Sequence, residues 1–155
     1  MWFGFGDWGN LIPCFLLVCE TGWTFFDHTG NCYKFVQTRT SWSEAMSSCR
    51  SATSNPSVNL VSIPDRATDN FLSTKVIKSR WWTEVWTGGY RESGQWFWTD
   101  GSRWTGYHNW YPGNPSGGAE DKLELIGSSG RGMRWNDGRN SYGRGAVCQY
   151  KPAGK

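Results

Sequence analysis

Five cysteines, Cys14, Cys19, Cys32, Cys49 and Cys148, carry the most legible chemistry in this chain. No C-x-x-C pair occurs among them, so spacing rules out zinc-ribbon and thioredoxin-type chemistry. His28 and His108 are too few and too far apart to complete a Cys/His zinc site. Two disulfides and one spare thiol is the natural arithmetic, and it implies an oxidising compartment. Five reduced, buried thiols in a cytosolic protein is the competing reading. The sequence has no G-x-S-x-G, no H-E-x-x-H and no P-loop. His28 has no Ser or Cys partner at a recognisable spacing, and no enzymatic activity is expected. Gly127-Ser-Ser-Gly-Arg-Gly132 lacks the strand-then-helix context of a phosphate loop and reads as a turn. Arg131, Arg134, Arg139 and Arg144 are either solvated loop charge or an anion patch for sulfated or acidic glycans. On residue types alone, Asn114-Pro115-Ser116-Gly-Gly118 and Asp137-Gly138 are two turns.

These groups must be positioned by a chain of 155 residues, enough for one ordinary core. Sixteen Lys+Arg against 13 Asp+Glu give a net charge of +3, without the dense basic face of a nucleic-acid binder. Aromatic residues make up 17% of the chain and charged residues only 19%, which excludes a disordered polymer. No apolar stretch reaches the roughly 18 residues that a membrane span needs. Leu11 to Val18 is an apolar run interrupted only by Pro13 and Cys14. The first basic side chain comes only at Lys34, so residues 1–18 read as a retained extension or the remnant of a signal.

Residues 22–37 read as a hairpin, with Trp23, Phe25 and Phe26 before a turn at Asp27–Asn31. Residues 41–50 read as a helix opened by a Ser41/Glu44 capping box. Trp42, Ala45, Met46 and Cys49 form its apolar stripe. A short strand follows at residues 60–63. Asp65 can cap a second helix, with Ala67, Phe71, Leu72 and Val76 facing inward. Residues 81–111 hold seven Trp, and Trp86, Trp96 and Trp98 read as core. Strands are expected at Gln95–Trp98, around Leu123 and Leu125, at Met133–Trp135 and at Ala146–Tyr150. Residues 101–121 have little periodicity and read as a long loop of the kind that carries function. Helices first and strands later indicate an α+β domain.

In order along the chain these pieces resemble a C-type lectin-like domain of the long form, in the style of soluble marine-invertebrate lectins. The resemblance rests on Cys19-Glu-Thr-Gly-Trp23 with Cys32-Tyr33, the Trp42–Cys49 helix, and Trp86-Thr-Gly-Gly89. It continues through Trp96-x-Trp98-x-Asp-Gly-Ser102 with Asn109-Trp110, Asn114-Pro115-Ser116, and Trp135-Asn136-Asp137 followed by Cys148. It covers roughly residues 19–151, leaving a tail at 152–155. The fold implied is two helices flanking short antiparallel sheets with a long irregular loop region.

The resemblance also implies the chemistry. Disulfides Cys19–Cys32 and Cys49–Cys148 are expected, which leaves Cys14 for an interchain bridge and a covalent homodimer. Asn114, Ser116, Glu120, Asn136 and Asp137 are the implied ligands of a Ca²⁺ ion, with a cis bond before Pro115. They supply two carboxylates, two amides and a hydroxyl, all oxygen donors suited to a hard cation. The same five residues, with Trp110 as a stacking candidate, are expected to hold a sugar. Two features of the family are missing. Lys122 and Asn140 stand where a second core disulfide would be, and Arg91 and Ser93 fall near where an auxiliary calcium site would have its carboxylates. The expectation is a secreted, non-catalytic, calcium-dependent lectin of galactose or N-acetylgalactosamine type that recognises glycans, for example on microbial surfaces. The alternatives are a mineral-, ice- or protein-binding relative without sugar binding, or a calcium-independent lectin for acidic glycans.

Overall fold

The computed structural model describes residues 19–153, so Cys14 and the Leu11–Val18 run lie outside the described residues. Strand β1, Thr24–Phe26, turns into β2, Asn31–Thr40, and helix α1 follows at Trp42–Ala52. A two-residue strand β3, Asn59–Leu60, precedes helix α2, Arg66–Phe71, which runs on into a π-helical segment, Leu72–Ile77. Then come β4, Thr83–Glu92, β5, Gln95–Trp98, β6, Lys122–Ser128, β7, Gly132–Gly138, and β8, Arg144–Tyr150. The strands join in the order β1-β2-β8-β4-β6-β7, with β3 added to β8 and β5 to β4. Only the β4–β8 pairing is parallel. This is an α+β architecture with the C-terminal strand in the middle of the sheet. Among the described residues no helix is long and apolar enough to cross a membrane.

Local sequence accounts for the helix ends. The backbone N–H and the hydroxyl of Ser41 both donate to the Glu44 carboxylate, at 3.2 and 2.7 Å, and hold that carboxyl below its usual range. Asp65 Oδ1 accepts from the Thr68 N–H at 2.8 Å and so caps α2. The stripe on α1 faces the core, with Ala45 and Cys49 fully buried. Disulfides join Cys49 to Cys148 and Cys19 to Cys32, tying α1 to β8 and the N-terminal segment to β2.

Four features differ from the sequence reading. Thr83–Glu92 is a strand where that reading has none, and Trp96, expected in the core, is only half-buried against it. Leu72 and Val76 are buried and Phe71 packs against the core as expected, but Ala67 is exposed, and Thr68, Asp69, Ser73 and Ile77 join the inward face. Asp69 is held there by three hydrogen-bond donors described below. The strand expected over residues 60–63 pairs only at Asn59–Leu60. Val61 and Ile63 are nevertheless buried, because Val61 splits its hydrogen bonds between Val147 O and Gly88 N–H.

The core has Trp86 and Trp135 at its centre, both fully buried. The two glycines after Trp86 are required by close approach. A Cβ on Gly88 would lie 2.5 Å from Thr99 Oγ1, and one on Gly89 would lie 2.6 Å from Leu123 Cβ. The long segment from residue 101 to 121 has no strand or helix beyond an isolated bridge of Trp110 to Trp135. Side chains hold it in place. Asp69 Oδ2 accepts from Tyr107 Oη, Asn109 Nδ2 and Trp135 Nε1 at 2.9, 3.1 and 3.0 Å. Trp104, Tyr107 and Trp110 each pack edge-on against the Trp135 ring, with centroids 5.6 Å away.

Candidate functional site

The end of this segment meets the C-terminal half of β7, and all five implied ligand residues come together there. The Asn114–Pro115 peptide is cis. Asn114 Nδ2 donates to Asn136 Oδ1 at 2.6 Å. Asp137 is fully buried, and its two carboxylate oxygens accept the backbone N–H groups of Ser116 and Gly117 at 2.9 and 2.7 Å. The Ser116 hydroxyl donates to Glu120 Oε2 at 2.6 Å and lies 3.3 Å from both oxygens of Asp137. Tyr142 Oη donates to the other Glu120 oxygen at 3.3 Å. β7 explains the geometry: Leu123 pairs with Asp137 and Glu124 with Asn136, so β6 sets the position of both candidate ligands on β7.

One residue that sequence reasoning missed orients this cluster. Glu124 is buried between Leu123 and Leu125 and accepts from Asn136 Nδ2 at 2.7 Å. Its second oxygen is paired with the Arg144 guanidinium. With its nitrogen committed to Glu124, the Asn136 amide turns its oxygen toward Asn114. Such outer partners fix the direction of a ligand side chain. The signal was an acid inside an otherwise apolar β6, Leu-Glu-Leu-Ile, where a buried charge demands a partner.

Arg91 occupies the neighbourhood of the missing auxiliary site. Its Nη2 donates to Gly118 O at 2.9 Å, and its N–H donates to Asp121 O at 2.8 Å. A fixed guanidinium thus clamps the loop that carries Ser116 and Glu120. Ser93 sits in the tight β4–β5 turn at φ 49°.

The donor set fits a hard cation: every candidate atom is oxygen, and two carboxylates supply charge. It does not fit a softer transition metal, which needs imidazole or thiolate. Among the described residues no three His, Cys, Asp or Glu side chains gather into a metal-holding group, so amides and a hydroxyl must complete any shell. Trp110 is half-buried, 5.2 Å from Trp96 and 5.6 Å from Trp135 by ring centroid. The four arginines do not form one patch. Arg144 is spent on Glu124 and Arg134 donates to Asn109. Arg131 and Arg139 lie beyond opposite ends of β7, about 26 Å apart at strand rise.

Comparison with known proteins identifies the family and the fold. The family model of the lectin C-type domain matches residues 38–150. Ladderlectin of Oncorhynchus mykiss is 36% identical over 124 residues, covering 77% of this chain and 60% of that protein. The chain spans about half the length of the curated relatives it matches. Among solved structures, the C-type lectin CEL-I from Cucumaria echinata superposes with a TM-score of 0.74 at 27% identity, over 87% of this chain and 99% of that one. The cow C-type carbohydrate-recognition domain of CD23, solved in the presence of a GlcNAc2Man3 oligosaccharide, gives 0.71 at 26% identity, over 88% and 98%.

Proposed function

The chain belongs to the C-type lectin domain family, and from that premise we propose that it binds carbohydrate through a calcium ion held by Asn114, Ser116, Glu120, Asn136 and Asp137. The observation that carries this reading is the convergence of those five side chains, with the Asn136 amide aimed by Glu124. When bound, calcium supplies open coordination positions for two neighbouring sugar hydroxyls. The protein's own part is orientation: Asn114 and Asn136 would present amide groups to those hydroxyls, Glu120 would accept from them, and the buried Asp137 holds the 116–117 backbone while supplying charge for the ion. With only two carboxylates the affinity for calcium falls in the range of extracellular modules, about 10⁻⁴ to 10⁻³ M.

Specificity leans to galactose and N-acetylgalactosamine over mannose. An amide, Asn114, precedes the proline, and Ser116 after it can both donate and accept. Trp110 is the aromatic candidate for the sugar's apolar face, its ring steadied by Trp96 and Trp135. Two disulfides fit a secreted protein working in an oxidising medium. Glycans on microbial surfaces are the proposed targets, and a Cys14-linked homodimer would double the sites for avidity.

Retention on immobilised galactose and immobilised mannose tests the reading. The chain should be held by galactose in calcium and released by EDTA. Glu120→Gln and Asp137→Asn should each abolish retention. Retention by mannose alone would refute the specificity, and an Asp137→Asn variant that still binds would refute the site.

A further inference from the structure

Away from these loops, a pocket of about 250 Å³ opens where β2 meets the end of the π-helical segment. Lys34, Lys75 and Lys78 line it together with Gln37, and no acidic side chain does. None of the three lysines is in an ion pair among the described residues. The Lys34 ammonium lies 6.0 Å from the Trp23 ring centroid.

Just beyond Lys78 stand Trp81 and Trp82, which are 83% and 62% exposed, the two most exposed large hydrophobic side chains among the described residues. They stand on a fixed turn. Ser79 O accepts from both the N–H and the hydroxyl of Ser129, at 2.8 and 2.9 Å, and Ser79 Oγ donates to Trp81 O at 2.8 Å. Arg80 and Arg131 flank the pair and are exposed. Neither residues 70–83 nor residues 125–136 contain an acid. The first acid to follow, Glu84, is held by Arg39 at 3.3 Å.

We propose that this face docks on a membrane surface bearing anionic phospholipid. The lysine pocket takes the headgroup phosphate, and the Trp81 and Trp82 indoles seat at the interface. Indoles combine an apolar body with an N–H donor and are enriched at that level of a bilayer. The lysines and arginines supply the charge complementarity, because basic side chains near an anionic leaflet each add to binding. A soluble polyanion would neutralise the cations but leave both indoles in water, whereas an interface desolvates them as well. The placement is coherent with the fold. Thr83, next to Trp82, pairs with Gly127 at one end of β6, and Lys122 pairs with Gly138 beside the candidate site at the other. The seven residues of β6 span about 20 Å. Docking by the tryptophan face therefore leaves the candidate site, at residues 114–120 and Asn136–Asp137, directed away from the membrane.

Vesicle co-sedimentation of the full chain, in EDTA so that the candidate calcium site plays no part, tests this. Binding is expected to vesicles of phosphatidylcholine with about a quarter phosphatidylserine, and not to phosphatidylcholine alone. The Lys75→Gln/Lys78→Asn variant should bind roughly thirtyfold more weakly. Trp81→Ala, at a site too exposed to affect folding, should also weaken binding, and Trp81→Ala/Trp82→Ala should weaken it further. Equal binding to neutral vesicles, or unchanged binding by the lysine and tryptophan variants, would overturn the proposal. So would retention on heparin through these lysines without vesicle binding.

Discussion

With three donors converging on one oxygen, Asp69 anchors a loop that has almost no backbone pairing of its own. Burial pushes its carboxyl above the usual range, although the hydrogen bonds from Tyr107, Asn109 and Trp135 and the nearby Arg134 pull the other way. Burial and the Asp69 charge in turn push the Tyr107 phenol up, which keeps it a donor. The sign of the linkage follows. A carboxyl raised in the folded state binds its proton more tightly there than in the unfolded chain. Its contribution to stability is therefore greatest below the ordinary carboxylate pKa and is lost as pH rises through the raised value. An Asp69→Asn variant cannot titrate. Melting followed from acid to neutral pH should show the stability of the natural protein, relative to that variant, falling as pH rises. A difference independent of pH would contradict the burial argument. Glu124 is a second buried carboxylate held by named partners, with the Arg144 guanidinium on one side and Asn136 on the other. Removing either member of such a pair strands a buried charge, which is why it holds Asn136 firmly.

At the level of elements, the N-terminus of α1 shows what stands in place of the absent second core disulfide. Asn140 O accepts from Trp42 N–H at 3.0 Å, and Asn140 Oδ1 accepts from Ser43 N–H at 2.9 Å. Lys122 Nζ lies 4.7 Å from the Trp42 ring centroid and 3.3 Å from Asp121. A bridge between residues 122 and 140 would contribute about 3 kcal/mol by chain entropy; these contacts offset part of that. Asn140→Ala removes a side-chain cap and should cost about 1 kcal/mol. A thermal melt should fall by roughly 2–4 °C, and an unchanged melt would show that the cap contributes nothing. Periodicity and capping chemistry made α1, the first hairpin and the late strands legible in the sequence. The second helix is legible at Phe71, Leu72 and Val76 but not at its first turn. There Ala67 is exposed and Asp69 takes an inward place that an apolar count cannot anticipate, because a carboxylate finds three donors inside. The 101–121 segment was legible only as a loop. Its order comes from Trp135 and Asp69, side chains far away in sequence.

Across the whole molecule, the β4–β6–β7 ladder separates two ends of different chemistry: oxygen-rich loops at Asn114–Asp137 and a cationic, tryptophan-bearing edge at Lys75–Trp82. The resemblance alone named the five residues of the first end, since residue types at 114–118 and 137–138 read only as turns. The second end was hidden in the sequence because seven tryptophans in one stretch look alike until burial divides them. Trp86 and Trp98 go to the core, Trp96 packs half-buried against it, Trp104 and Trp110 belong to the loop, and Trp81 and Trp82 go to solvent. The central claim is that the first end holds sugar only through calcium. Calorimetric titration of N-acetylgalactosamine into the full chain, once in millimolar calcium and once in EDTA, addresses it most directly. A saturable heat in calcium that vanishes in EDTA is the predicted result, and the same heat in both solutions would contradict it.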